Sequence, residues 1–207
     1  MSDLPWHEPA FLTDATAWID ARLADAGLRR TGPIEQPHAA WWSTAFRVPT
    51  EDGPMWCKAT QPEGRFEARL TPLLASRWPD RTVEVVATDP ERGFLLTRDA
   101  GTKLRELSDG RVVEHWEALL PRYAEMQREL AGSVDALLAL GVPELRLAAL
   151  PGELASLLDE PDLLLGDRGG GVTRLGWGSC ARNCPPLPMP ARGLQRCPSP
   201  RRSSTTT

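Results

Sequence analysis

Lys58 and Glu67 are the residues whose types and spacing say most about chemistry. Lys58 lies in the run Met55-Trp-Cys-Lys-Ala59, where the pattern is that of a strand and a charged ammonium is costly unless it reaches solvent or a partner. Glu67 follows nine residues later, on a stretch that reads as helix. A lysine on a strand, aligned by a glutamate on a helix, presents a fixed positive charge suited to the α- and β-phosphates of a nucleotide. Spacing alone gives more weight to a simpler arrangement, a surface lysine on an edge strand and an ordinary solvated glutamate.

The other reactive side chains offer less. Cys57 sits in the same apolar run and reads as a small buried hydrophobe. Cys180, Cys184 and Cys197 lack a partner His and the repeated close pair of structural zinc, so no metal site is expected. The start of the chain, Met-Ser-Asp-Leu-Pro-Trp-His-Glu-Pro, has neither basic residues nor an apolar core. No secretory signal and no disulfides are therefore expected. None of the three His, at 7, 38 and 115, is followed by Asp two positions on.

Several elements are needed to position these residues. Ala10 to Gly27 has helical periodicity through Ala17, Trp18, Ala21, Leu23 and Leu28, with Thr13 or Asp14 as N-cap and Gly27 as stop. The period then changes to two. Thr31 to Glu35 is a weak first strand. Trp42 to Pro49 alternates Trp42, Thr44, Phe46 and Val48 against Ser43, Ala45 and Arg47. The turn Thr50-Glu51-Asp52-Gly53 returns the chain into Pro54 to Ala59, which should pair antiparallel with it. Phe66, Leu70, Leu73 and Leu74 mark a helix. Arg81 to Thr88 and Gly93 to Arg98 are two more strands about the turn Asp89-Pro90-Glu91-Arg92. Val113, Trp116, Leu119, Leu120, Tyr123, Met126 and Leu130 describe a long amphipathic helix starting near Ser108 or Asp109, with Pro121 as a kink or restart. An apolar stripe continues through Leu145, Leu147, Leu150, Leu154, Leu157 and Leu158. Helix, sheet with one inserted helix, then helices only is an α+β order.

Three stretches carry a family resemblance. They are Trp42-Ser-Thr-Ala-Phe-Arg-Val-Pro-Thr50; Asp52-Gly-Pro-Met-Trp-Cys-Lys58-Ala59 with Phe66-Glu67-Ala68; and Val83-Glu-Val-Val-Ala-Thr-Asp89 with Glu91-Arg-Gly-Phe-Leu-Leu-Thr-Arg-Asp99-Ala-Gly101. Residues 32–107 resemble the N-terminal lobe of the aminoglycoside phosphotransferase family, kinase-like enzymes of small molecules. Residues 112–160 are similar to the start of that family's C-terminal lobe. The resemblance implies a kinase-like N-lobe over 1–101, an incomplete helical C-lobe over 102–165 and a tail over 166–207. It also implies ATP with Mg as cofactors and a small-molecule hydroxyl as acceptor. Lys58 would then bind the phosphates and Glu67 would orient it. Ser43 and Thr44 would lie where the phosphate-covering loop enters its second strand, and Leu96, Thr97 and Arg98 would form the hinge whose backbone meets the adenine. No Gly-x-Gly-x-x-Gly is present. The family's His-x-Asp-x-x-x-x-Asn catalytic loop and later metal-binding Asp are missing too, so this chain is expected to be inactive. The alternative is a non-catalytic nucleotide-binding or protein-interaction module.

Composition sets the outer bounds. The chain has 207 residues, 41% apolar and 25% charged, with a net charge of −4. That balance argues against general nucleic-acid binding, which requires neutralised phosphates. No apolar run is long enough to span a membrane, so a soluble, cytoplasmic protein is expected. The averages conceal a break: residues 1–165 carry 17 Lys+Arg against 27 Asp+Glu, whereas 166–207 carry seven Arg against one Asp. The tail also holds seven Gly, six Pro and three of the four Cys, too little apolar matter for a core, and disorder is expected there. Helices 112–160 would expose apolar faces that the resembling fold buries, so self-association is expected.

Out-of-frame reading of a GC-rich gene yields the Arg, Pro, Gly, Ser and Cys of this tail. Consecutive Thr codons, read one base earlier, encode only Tyr, His, Asn or Asp, so Ser203 to Thr207 permits a neighbouring-frame Leu-Gln-His-Asp-Asp-Leu. We take a frameshift near 166–171, or truncation, over a natural basic tail that binds an acidic partner. Sequencing the DNA beneath codons 170–207 should reveal a family-like neighbouring frame. A gene with none there removes the frameshift.

Overall fold

The structure is a computed structural model and describes residues 4–107 and 110–158. The expected tail at 166–207, its disorder and its frameshift lie outside the described residues, as do Ser108 and Asp109. The chain divides into two units, one ending at Val142 and the other beginning at Pro143.

The first unit opens with a short 3-10 turn, Pro5–His7, and helix α1, Pro9–Asp25. The helix starts ahead of the expected cap: Pro9 is its first residue, where a missing N–H costs nothing because no intrahelical partner exists there. Thr13 instead lies within the helix and donates its hydroxyl to Pro9 O at 2.8 Å. A five-stranded antiparallel sheet follows, comprising β1 Glu35–Ala40, β2 Ser43–Thr50, β3 Gly53–Thr60, β4 Val85–Asp89 and β5 Phe94–Arg98. Its strand order is β1-β2-β3-β5-β4. Helix α2, Glu67–Arg77, is inserted between β3 and β4. Helices α3, Val112–Leu130, and α4, Val134–Ala139, complete the unit. The α+β class is as the order of patterns implied.

The β2–β3 hairpin follows from its sequence. Pairing ends at Thr50 opposite Gly53, and Gly53 has φ of +101°, a conformation that only glycine adopts readily. The Thr50 hydroxyl donates to Gly53 O at 2.6 Å.

Several details differ from the sequence reading. The first strand is 35–40 rather than 31–35, with Arg30 forming only an isolated bridge to Thr50. Trp42 falls in the β1–β2 turn and is exposed, outside the strand alternation that includes Thr44, Phe46 and Val48. Arg81 precedes β4 and binds α3. α3 runs through Pro121 as one helix, because the proline removes a single N–H from a ladder of many. In the second unit, Leu145 and Leu147 precede helix α5, Leu150–Leu158, so the stripe through 145–158 is not one helix. Arg146 there pairs with Glu144.

The core lies between α1 and one face of the sheet. α1 contributes Ala15, Trp18, Ile19 and Leu23, and the sheet contributes rows such as Phe46–Cys57–Leu96, whose members pair directly across β2, β3 and β5. Trp18 meets Phe94 edge-on with centroids 5.3 Å apart, a favoured aromatic geometry. A bidentate contact pins the helix as well: Arg30 Nε and Nη2 each donate to Asp20 at 2.9 Å. That bond holds the Asp20 carboxyl below its ordinary range.

Ile19 is fully buried, so Ile19→Ala should cost roughly 2–5 kcal/mol in a denaturant titration. An unchanged midpoint would mean that α1 does not pack on the sheet.

Candidate functional site

Alternation along β3 builds the site. Met55, Cys57 and Ala59 are buried under α1, so Trp56 and Lys58 emerge on the opposite face. Lys58 is flanked there by Ala45 of β2 and Leu95 of β5, and Trp56 by Arg47 and Thr97. After β3 the chain makes a 3-10 turn at Pro62–Gly64 and enters α2 with Glu67 as its first residue. A carboxylate in the first turn of a helix is favoured by the helix dipole.

Lys58 Nζ donates to Glu67 Oε2. The two side chains remain 39% and 35% exposed, and an ion pair that wet contributes only about 0.2–1 kcal/mol. The pair is therefore a poor stabilising device and leaves the ammonium accessible. It borders a cleft of about 400 Å³ whose lining includes His38, Trp42, Ser43, Ala45, Trp56 and Thr97. A cation, hydroxyls and indole surfaces converge there, a set able to receive an anionic group attached to a planar apolar one. Among the described residues, no group of three or more His, Cys, Asp or Glu side chains stands close enough to hold a metal ion.

The remaining sequence-derived candidates divide between the cleft and the core. Ser43 is buried at the start of β2 and lines the cleft. Thr44 is fully buried, and its hydroxyl donates to His38 O at 2.8 Å while accepting from Gln36 Nε2 at 2.9 Å. It ties β1 to β2. The Leu96 side chain belongs to the core. Leu96 and Thr97 pair with β3 on one side and β4 on the other, so their backbone groups are used by the sheet. Arg98 pairs with Met55, donates its N–H to Glu84 O at 3.0 Å and directs its guanidinium to the Glu84 carboxylate at 2.9 Å. The backbone leaves the sheet only at 99–101.

Sequence reasoning passed over Trp56, which lines the cleft and whose indole N–H donates to Asp99 Oδ1 at 2.6 Å. Its signal was present: it shares a strand face with Lys58 at a spacing of two. His38 had none, because its place opposite Ala45 depends on the β1–β2 register.

No family model, curated protein or solved structure matches this chain.

Burial pushes the Cys57 thiol up to about 12 from its ordinary 9.0. Thiolate is the reactive form, so Cys57 should resist alkylation in the native protein and react rapidly in urea, as resolved by peptide mass spectrometry. Only the unfolded thiol ionises between those two values, so stability should fall as the pH rises above 9.0. Rapid native labelling at Cys57 would contradict the buried placement of this strand face.

Proposed function

We propose that the chain binds ATP with Mg²⁺ as the nucleotide-holding part of a kinase-like small-molecule phosphotransferase of the aminoglycoside phosphotransferase type. The observation that carries this reading is the contact between Lys58 on β3 and Glu67 at the head of α2, on the open face of the sheet and beside a cleft. In the proposal Lys58 neutralises the α- and β-phosphates, and Glu67 restricts the ammonium to one orientation. Holding charge in place is most of what phosphoryl transfer asks of a protein. Ser43, at the cleft end of β2, is a hydroxyl donor for the same phosphates. The peptide groups of Leu96–Arg98 are used by the sheet and the Gly101 N–H donates to the Asp99 carboxylate at 3.2 Å, so the adenine edge would meet the backbone at 99–100. Bound ATP would supply the transferable γ-phosphoryl.

The sequence has no His-x-Asp-x-x-x-x-Asn, and transfer to an acceptor hydroxyl needs a base and metal ligands of that kind. The reading for these 207 residues is therefore binding without turnover. A second reading, a protein-interaction module, is favoured by the apolar residues that α3 exposes.

Mg-ATP should raise the thermal midpoint by roughly 5–10 °C, since about 2.7 kcal/mol is gained at a hundredfold excess over Kd. Lys58→Ala should abolish the shift and Glu67→Gln should reduce it, with neither changing the unliganded midpoint appreciably. No shift in the unmodified chain overturns nucleotide binding. Lys58-dependent ATP hydrolysis would overturn binding without turnover.

A further inference from the structure

Helix α3 is attached to its unit by charge. Arg122 Nη2 donates to Asp80 O at 3.1 Å and to Asp80 Oδ2 at 2.8 Å. Arg81 Nη1 donates to Glu125 Oε2 at 2.9 Å, and Arg77 stands 3.5 Å from Glu129. Residues 122, 125 and 129 share one face, and all three contacts fall in the C-terminal half of the helix. Among the apolar side chains of α3, Met126 alone is classed as buried. Val112, Val113, Trp116, Leu119, Leu120 and Tyr123 are between 39% and 69% exposed. Their spacing of three, four and seven collects them into one stripe. An amphipathic helix ordinarily spends such a stripe on the core. Here ion pairs hold the helix and the stripe meets water.

The extent of the stripe suits one kind of occupant. With an aromatic side chain worth roughly 200 Å² and aliphatic ones somewhat less, the exposed part is on the order of 600 Å². That is the upper end of what ordinary monomers show. Two such stripes facing each other bury about 1,200 Å², the threshold of a specific interface. The order of side chains is also nearly palindromic about the midpoint between Leu119 and Leu120. Trp116 and Tyr123 are equidistant from it, as are the two leucines.

We infer that α3 is the self-complementary interface of a homodimer, packing antiparallel against α3 of a second copy about a two-fold axis between Leu119 and Leu120. Trp116 then lies level with Tyr123 of the second copy, and Leu119 with its Leu120, an isologous and closed arrangement. The antiparallel sense follows from the attachment: because the ion pairs hold only the C-terminal half, parallel packing would crowd two bodies at one end. Antiparallel packing sends them to opposite ends and sets the helix dipoles against each other. The inference is independent of nucleotide binding.

Sedimentation velocity of the full chain over a wide concentration range should show a monomer–dimer equilibrium. Trp116→Ala should weaken it at least about tenfold, the loss expected of a central aromatic anchor. The double substitution Leu119→Glu, Leu120→Glu should abolish it while leaving the circular dichroism melt in place at concentrations where the unmodified chain is monomeric, because in the monomer those side chains face water. Oxidised Leu119→Cys should yield a 119–119 disulfide by peptide mapping. Val112→Cys should not, since its two copies would lie roughly 22 Å apart along the axis at 1.5 Å per residue. A monomer at every concentration overturns the inference, including one in which the chain's own residues cover the stripe. Large aggregates of no fixed size that survive the double substitution overturn it as well, and a 112–112 disulfide overturns the antiparallel sense.

Discussion

The structure depends on the pleat of β3. Met55, Cys57 and Ala59 must leave water, and α1 provides the apolar surface that covers them. Because side chains alternate at a period of two, this burial sends Trp56 and Lys58 to the other face without any further instruction. A slip of one residue would turn the Lys58 ammonium into the apolar core, which would not tolerate it. The large free energy of the core thus holds in place a charged group whose own contacts are weak.

That division of labour recurs across the first unit. On the α1 side, fully buried side chains and edge-to-face rings hold the elements together. On the other side, Lys58 and Glu67 link β3 to α2, and Glu129, Glu125 and Arg122 of α3 pair with Arg77 at the end of α2 and with Arg81 and Asp80 just beyond it. Ion pairs with half-exposed partners exchange readily with water and with competing ions.

Parts of this architecture were legible residue by residue. The hairpin from 43 to 60 announced itself because two alternating runs flank Glu51-Asp52-Gly53, and a positive φ at Gly53 closes the turn. The Asp89 to Arg92 turn was equally local, with Arg92 N donating to the Asp89 carboxylate at 3.0 Å. β1 was misread for a physical reason. Pro37 and two alanines give Glu35–Ala40 no strand signature, and its pairing with β2 shifts register between Glu35 and His38. It survives as an edge strand, where proline is tolerated, because distant groups hold it: the Trp6 indole donates to Ala40 O at 2.6 Å and Gln36 reaches the Thr44 hydroxyl. No local window contains those contacts. The proline in α3 misled for the opposite reason, since a local penalty was overridden along an otherwise continuous helix.

The sequence by itself determined which side chains of each strand share a face, where the tight turns fall and which residues carry charge, since all of these follow from covalent geometry and short-range sterics. Tertiary structure alone decided that Trp56 and His38 line the cleft beside Lys58 and that the Trp56 indole reaches Asp99. Each of those outcomes depends on strand register and helix placement, which the whole core sets by summing contacts between residues far apart in the chain. No single stretch of sequence contains that sum.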